Sequence, residues 1–262
     1  MDNSPIGFFD SGVGGLSVYQ RVSALLPHES TVYIGDHAFL PYGGKTRRRI
    51  QARAVKLIRF LLARHVKLIV VACNTATIAG IDTYRRLFPD VPIIGVVPVV
   101  KTAAQLSAGS FAVLSTSFTA QSRYQKLLIR KFAPRAQVYN LGCPNLLSFV
   151  ENGILQGKQI DRELGQILTP RILKKIDIIV LGCTHYPFLQ KAIRAIVGSK
   201  IRILDSGGAV ARHVERILTH NDIPGHAKRA THEFYSTIEN DTLSRVAGTL
   251  LKKKVRVQYA DI

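Results

Sequence analysis

The chain has 262 residues, of which 47% are hydrophobic and 20% charged, so a disordered protein is excluded and a sizeable buried core is expected. It contains no apolar run of the roughly 20 residues that span a bilayer and no secretory leader, and its three cysteines lack the spacing of a disulfide framework, which together predict a cytoplasmic protein without a membrane partner. The formal net charge of +19 accompanies no nucleic-acid-binding motif and no Trp, which favours a solvated basic surface but leaves a nucleic-acid-binding protein open as an alternative.

Apolar strands alternate with amphipathic helices along the first hundred residues. The pattern predicts strands at 6–9, 31–34, 68–72 and 93–96, and helices at 16–26, 48–64 and 76–87. Pro89 and Pro92 separate the last helix from the last strand, because proline interrupts helices. After Pro98 the alternation begins again, which indicates that the chain enters a second unit there.

The second stretch repeats the same alternation. Its strands are predicted at 111–114, 137–141, 178–181 and 201–204, and its helices at 119–132, 145–152, 158–175 and 188–197. A helix at 209–220, a strand at 232–235, a helix at 242–252 and a strand at 255–259 complete the chain.

The predicted strands are rich in Ile and Val and apolar on both faces, which is typical of parallel sheets covered by helices. Their number, ten, is larger than one small flavodoxin-like sheet needs. We therefore predict the α/β class, with two flavodoxin-like parallel-sheet domains. Boundaries near Pro98 and near 205–208 divide the chain into one domain of residues 1–97 plus 207–262 and another of residues 98–206.

Two cysteines occupy similar positions 110 residues apart (183 − 73). Cys73 and Cys183 each follow an apolar run of strand length and one small residue, and each precedes two polar residues. Both thiols are therefore expected where a buried strand opens into a loop, which is where α/β proteins place their chemistry. Two thiols from matching halves suggest a pair of opposed acid/base groups. Cys143 lies outside this pattern and is interpreted as a small buried hydrophobic residue.

A second motif that occurs twice is Asp-Ser-Gly. Both 10–12 and 205–207 follow a short apolar strand. The glycines after Asp10 allow backbone N–H groups to approach an anion at a helix N-terminus. For Asp205 an ordinary strand-to-helix turn is the favoured interpretation. The segment Pro41-Tyr42-Gly43 is either a loop with exposed backbone amides or a simple turn.

Several segments together resemble bacterial glutamate racemase, a member of the aspartate/glutamate racemase superfamily. They are Phe9-Asp10-Ser11-Gly12-Val13-Gly14-Gly15-Leu16, Pro41-Tyr42-Gly43, Ala72-Cys73-Asn74-Thr75-Ala76 and Leu181-Gly182-Cys183-Thr184-His185-Tyr186-Pro187. The resemblance runs from about residue 6 to about residue 212, and the paired cysteine motifs are its most specific part. Val96-Val97-Pro98 departs from the acidic version common in the family. The regulation and subunit packing of members with the acidic version are therefore not carried over to this chain.

The resemblance implies a cofactor-independent amino-acid racemase of two pseudo-symmetric α/β domains, with the active site in the cleft between them. It implies that Cys73 acts on D-glutamate and Cys183 on L-glutamate, with Asp10 and His185 as catalytic assistants, and that the product D-glutamate supplies peptidoglycan synthesis. The substrate-binding residues that it implies are Asp10, Ser11, Pro41, Tyr42, Gly43, Asn74, Thr75, Thr184 and His185. Glu151 matches a further family acid more loosely.

Two further alternatives remain from the sequence. A related racemase could act on aspartate or another amino acid. A Cys183–His185 pair could act as a nucleophile and its base, although this leaves Cys73 unexplained. A zinc site is not predicted, because the chain has neither C-x2-C nor H-E-x-x-H. The expected partner is a small-molecule substrate, and the oligomeric state is left open, a homodimer included.

Overall fold

The computed structural model describes residues 4–220, 230–239 and 241–262. Within these residues strands and helices alternate along the chain. The strands are β1 (Ile6–Asp10), β2 (Thr31–Gly35), β3 (Leu68–Val71), β4 (Ile93–Gly95), β5 (Ser110–Ser115), β6 (Gln137–Gly142), β7 (Ile178–Leu181), β8 (Arg202–Leu204), β9 (His232–Ser236) and β10 (Val257–Tyr259). The helices are α1 (Leu16–Leu25), α2 (Arg47–Leu62), α3 (Asn74–Leu87), α4 (Val100–Leu106), α5 (Ser117–Gln121), α6 (Arg123–Phe132), α7 (Leu146–Glu151), α8 (Lys158–Ile167), α9 (Pro170–Leu173), α10 (Gln190–Val197), α11 (Gly207–His220) and α12 (Asp241–Leu251).

The first compact unit comprises Met1–Val96 and Gly207–Ile262. Its six strands form one sheet in the order β10-β9-β2-β1-β3-β4, and each neighbouring pair is parallel. Every residue of β1, β2 and β3 is buried, as expected for strands covered on both faces. This arrangement brings the carboxyl ends of β1 and β3 side by side.

The second compact unit comprises Val97–Ser206. Its four parallel strands are ordered β6-β5-β7-β8. This order repeats the β2-β1-β3-β4 part of the first sheet, with β5 in the place of β1 and β7 in the place of β3. Helices α4 and α6 cover one side of β5 and β7 with an apolar cluster. The predicted α/β class with parallel sheets is confirmed.

Three helical segments differ from the prediction. The predicted helix 119–132 is two helices, because Ser122 is extended and caps α6 by accepting from the Gln125 N–H at 3.1 Å. The predicted helix 158–175 ends at Ile167, since Pro170 begins α9 and its ring favours an extended Thr169. Helix α4 was not predicted; Val99, which precedes it, offers no side-chain cap.

The burial pattern of the helices follows from their sequence. Helix α2 buries Ile50, Ala54, Leu57, Ile58 and Leu61 on one face, while its other face carries charged residues. None of the helices in the described ranges is long and apolar enough to cross a membrane.

Candidate active site

The first unit has a reversal of strand order at β1. The chain adds β2 on one side of β1 and β3 on the other, and the Ala72 N–H donates to the Phe9 oxygen at 2.8 Å. Asp10 therefore ends β1 next to the loop in which Cys73 follows β3. In open α/β sheets ligands bind at this point, outside the carboxyl ends of the strands.

The second unit has the same reversal at β5. The Gly182 N–H donates to the Leu114 oxygen at 2.7 Å, which brings the start of the Cys183 loop beside Ser115 and Thr116. A side chain at Gly182 would lie 3.0 Å from the Leu114 oxygen, so glycine permits this close approach. Each cysteine thus occupies the same topological position in its own sheet.

Cys73 is the residue immediately before α3. Its Sγ accepts from the Ala76 N–H at 3.4 Å, so the sulfur caps the helix. The same sulfur lies 3.9 Å from Ser11 Oγ, to which it donates. Helix N-termini favour negative charge, and a cysteine placed there is well suited to proton exchange.

Asp10 is fully buried and fixes the loop between β1 and α1. Its Oδ1 accepts from the Ser11 N–H at 2.5 Å and from Ser11 Oγ at 3.1 Å, and its Oδ2 accepts from the Gly15 N–H. A Cβ at Gly15 would lie 2.8 Å from the Asp10 Cβ and 2.9 Å from the Ala72 Cβ. Cys73, Ser11 and Asp10 therefore form a relay from thiol to hydroxyl to carboxylate.

The remaining predicted substrate-binding residues of the first unit lie at the start of α3 and in the segment between β2 and α2. Asn74 and Thr75 are buried in the first turn of α3, and Asn74 Nδ2 donates to the Val96 oxygen at 3.2 Å. Tyr42 is buried, whereas Pro41 is exposed and Gly43 half-buried. Burial, the Asp36 carboxylate and the Cys73 charge raise the pKa of Tyr42 well above its usual value, so its hydroxyl stays a neutral hydrogen-bond donor.

Cys183 is the corresponding thiol of the second unit. Its Sγ lies 3.6 Å from His185 Nδ1, and His185 Nε2 lies 2.5 Å from Glu151 Oε1. Thr184, between the two, is also buried. The structure therefore brings Glu151, the loosest of the sequence matches, into contact with a predicted catalytic residue.

The charge state of His185 follows from these contacts. Burial by itself lowers the pKa of His185, but the hydrogen bonds to Cys183 and Glu151, together with the charges of these two groups, raise that pKa well above its usual value. A protonated imidazole between a carboxylate and a thiol can supply a proton to the sulfur, and the neutral imidazole that remains can take one back from it. Cys183, His185 and Glu151 form a relay from thiol to imidazole to carboxylate.

Cys143 differs from the other two cysteines. It is fully buried and its Sγ lies 3.7 Å from the Leu141 oxygen. Burial and the nearby Cys183 charge raise the pKa of the Cys143 thiol to about 12, which keeps it protonated at neutral pH. The three cysteines, all within the described residues, form no disulfide.

The structure points to site residues that the sequence did not. Thr116 directly follows β5 and Thr119 lies in α5, and both are buried. Thr116 Oγ1 accepts from the Thr119 N–H at 3.2 Å and donates to Thr119 Oγ1 at 3.1 Å. The signal available in the sequence was a Ser-Thr pair directly after an apolar strand, the pattern of a helix cap. Asp36 is the other residue of this kind, directly after β2.

Residues 6–214 match the Asp/Glu/Hydantoin racemase family. The chain belongs to this family. A glutamate racemase from Clostridium perfringens is 37% identical over 256 residues, which cover 97% of the chain and 98% of the relative. The family resemblance of the sequence motifs is thereby confirmed.

Solved structures of similar proteins cover the chain almost completely. A glutamate racemase from Francisella tularensis in complex with D-glutamate has a TM-score of 0.88 and 30% identity, covering 100% of the chain and 98% of that protein. A glutamate racemase from Escherichia coli in complex with L-glutamate and the activator UDP-MurNAc-Ala has a TM-score of 0.87 and 32% identity, covering 98% of each. This similarity of fold and sequence agrees with the family assignment.

Proposed function

We propose that the protein interconverts L-glutamate and D-glutamate by a two-base mechanism with Cys73 and Cys183, and that its D-glutamate supplies peptidoglycan synthesis. The observation that carries the proposal is the pair of relays. Each thiol stands at the strand reversal of its own sheet, and each is followed by a hydrogen-bonding group and a carboxylate. Relatives named glutamate racemase, at 37% identity over nearly the whole chain, support the substrate.

Racemisation requires a proton to leave Cα on one side and another to arrive on the opposite side. With L-glutamate, the Cys183 thiolate takes the Cα proton, so a C–H bond breaks and an S–H bond forms. The Cys73 thiol then gives its proton to the other face of the carbanion, so its S–H bond breaks and the new C–H bond forms. The reverse reaction begins at Cys73. One base is therefore deprotonated and the other protonated at the start of each turnover.

The two relays restore these protonation states. His185 exchanges a proton with Cys183 while Glu151 stabilises the imidazolium. On the other side, Ser11 bridges Cys73 and the Asp10 carboxylate. The different middle groups, an imidazole and a hydroxyl, make the two thiols chemically unequal, which is consistent with one acting as acid while the other acts as base.

The developing negative charge on the carbanion requires hydrogen-bond donors near the substrate carboxylate. Asn74 and Thr75 in the first turn of α3, together with Ser11 and Thr184, supply such donors from buried positions. Fixed donors in a site with little water stabilise developing charge more strongly than solvent does. Because the α-proton of an amino acid is weakly acidic, this stabilisation is the largest demand that the reaction makes on the protein.

The test is racemisation by purified protein without pyridoxal phosphate, followed by circular dichroism. Wild-type protein should remove the optical signal of either enantiomer. Cys73→Ala and Cys183→Ala should each lower the rate by about 1,000-fold or more in both directions, since general acid–base groups commonly contribute factors of about 100 to 10,000. Cys143→Ala is the matched control. It should retain the wild-type rate, because the Cys143 thiol belongs to neither relay and donates instead to the backbone oxygen of Leu141.

The same assay separates glutamate from other substrates. Turnover of L-aspartate at a rate equal to or above that of L-glutamate would contradict the proposed substrate and favour the aspartate alternative. A Cys73→Ala protein that still racemised glutamate at the normal rate would contradict the two-base assignment.

A further inference from the structure

A buried ionic cluster lies behind the Pro41-Tyr42-Gly43 loop of the first unit. Its centre is Asp36, which is fully buried directly after β2. The Asp36 N–H donates to the Asp10 backbone oxygen at 2.9 Å, so the residue is attached to the end of β1 as well. The two proton relays do not use its carboxylate.

Both oxygens of this carboxylate are occupied. Arg53 of α2 donates from Nη2 to Oδ1 at 2.6 Å and from Nε to Oδ2 at 2.9 Å. Thr237, directly after β9, donates to Oδ1 at 2.9 Å. Tyr42 Oη donates to Oδ2 at 2.7 Å. A two-pronged arginine contact fixes the orientation of a carboxylate, and the remaining oxygen lone pair therefore points at a defined position for the Tyr42 hydroxyl.

Arg53 is itself fixed from several sides. Its Nη1 donates to the Ile262 backbone oxygen at 2.5 Å, and its side chain is 13% exposed, against 0% for Asp36. The hydrogen bonds to Asp36 raise the pKa of Arg53, so the guanidinium stays charged. The cluster thus joins β2, α2, the segment after β9 and the end of the chain after β10 to one tyrosine hydroxyl.

Tyr42 connects the buried cluster to the Cys73 side of the proposed site. The segment Tyr42–Gly44 packs against α3, whose N-cap is Cys73. The charge of Cys73 is one of the causes that raise the pKa of Tyr42. The hydrogen bond from this hydroxyl to Asp36 anchors the ring at its far end. A shift of the tyrosine would therefore move the loop relative to the cysteine.

We propose that Asp36, oriented by Arg53 and Thr237, is a positioning residue that holds Tyr42 and the Pro41-Tyr42-Gly43 loop against the Cys73 side of the site. The inference rests on the proposed function, in which this loop binds the substrate. Asp36 acts through Tyr42 and does not itself contact the reacting atoms.

The experiment compares Arg53→Lys with Arg49→Lys in the full-length protein. Arg49 is the matched control, because it lies one turn earlier on α2 and faces the same Phe39 ring at 5.5 Å, compared with 5.9 Å for Arg53, but is exposed. Lysine keeps the charge and removes the two-pronged contact. Arg53→Lys should lower kcat/KM for glutamate by about tenfold or more, mainly through KM, since small displacements of positioning groups can cost factors of about 100. Arg49→Lys should stay within about twofold of wild type, as expected for an exposed substitution.

A double-mutant comparison tests whether Asp36 works through the tyrosine. Asp36→Asn and Tyr42→Phe should each reduce kcat/KM, and the double variant should be little worse than the more damaging single one, because both break the same hydrogen bond. Fully multiplicative losses would contradict the inference. Thr237→Val removes one contact to Oδ1 with little change of shape, and its loss of a few-fold provides the test if Asp36→Asn fails to fold.

A second readout does not depend on turnover. The rate at which iodoacetamide alkylates Cys73, measured by peptide mass spectrometry, should rise about threefold or more in Arg53→Lys, because a displaced loop uncovers a thiol that is 5% exposed. Cys183 in the same digest should react at its wild-type rate. If wild-type protein racemises glutamate but Arg53→Lys matches Arg49→Lys in both readouts, the inference is wrong and the proposed function stands. If wild-type protein does not racemise glutamate, the proposed function is wrong and the alkylation rates still decide the positioning role.

Discussion

At the scale of single residues, the two cysteines are most informative through their neighbours. Cys73 is linked through Ser11 to Asp10, and Cys183 through His185 to Glu151. Each thiol has a route for its proton that ends at a carboxylate, that of Asp10 fully buried and that of Glu151 on a side chain that is 9% exposed. The two routes differ in the group that carries the proton: the imidazole of His185 can itself become charged, whereas a serine hydroxyl does not titrate near neutral pH.

Replacing Glu151 by Gln should change stability in a pH-dependent way. Because the folded-state pKa of His185 lies above its unfolded value of about 6.5, the protonated imidazole stabilises the folded protein; this contribution is complete below about pH 6.5 and is lost as pH rises through the raised folded-state pKa. The difference in melting temperature between wild type and Glu151→Gln should therefore be several degrees near pH 6 and become smaller towards pH 10.

The control for this prediction is Glu163→Gln, which removes a carboxylate that accepts from the Asn145 amide. Its effect on the melting temperature should vary little over the same pH range. A Glu151→Gln difference that is constant between pH 6 and pH 10 would contradict the assignment of a raised pKa to His185.

Several site residues could be identified from the sequence because each belongs to a local motif. Cys73, Cys183 and His185 follow apolar strands directly, and their neighbourhood could be inferred from chain position. Asp36 could not be identified in this way, since its partners Arg53 and Thr237 are 17 and 201 residues away. Long-range contacts of this kind leave no periodic or short-range signal in one sequence.

At the scale of secondary-structure elements, the turn between β1 and α1 depends on glycine. Gly15→Ala would place a Cβ within 3.0 Å of atoms of Asp10, Ala72 and Tyr33, so the turn must shift. Overpacking of this kind costs about 1–3 kcal/mol, and the Asp10 relay should be disturbed with it. The measurement is the free energy of unfolding from denaturant titration, together with the racemisation rate.

The same substitution at Gly165 should have the opposite effect on stability. Gly165 lies within α8, and a Cβ added there would have open space around it, with nothing within 4 Å among the described residues outside its own helical turn. Gly165→Ala should raise the free energy of unfolding by about 0.5–1 kcal/mol through the better helix propensity of alanine, and the racemisation rate should not change. Equal destabilisation by both substitutions would show that close contact at Gly15 is not the cause.

The strands were predictable because Ile- and Val-rich runs buried on both faces give a strong pattern, as in β3 and β7. The helix breaks at Ser122 and Thr169 were missed because apolar periodicity continues across them. The physical cause of the second break, Pro170, is visible in the sequence, whereas Ser122 acts by capping, which depends on the conformation that it adopts.

At the scale of the whole molecule, the strand order relates the two halves. The orders β2-β1-β3-β4 and β6-β5-β7-β8 are equivalent, and Cys73 and Cys183 follow the equivalent strands β3 and β7. The repeated Asp-Ser-Gly has a different meaning, because 10–12 begins at the last residue of β1 whereas 205–207 follows β8, which corresponds to β4. The repeat of the cysteines therefore reflects the fold, and the repeat of Asp-Ser-Gly does not.

The most direct measurement of the two-base mechanism is racemisation of L-glutamate in D₂O, with the Cα position of both enantiomers analysed at early times. A thiol carries a single proton, so within one turnover the proton taken by Cys183 stays on that sulfur, and Cys73 delivers a solvent-derived deuteron to the other face. We expect D-glutamate with deuterium at Cα and remaining L-glutamate that still carries hydrogen there. D-glutamate that retains the original Cα hydrogen would show that a single base serves both faces and would contradict the mechanism.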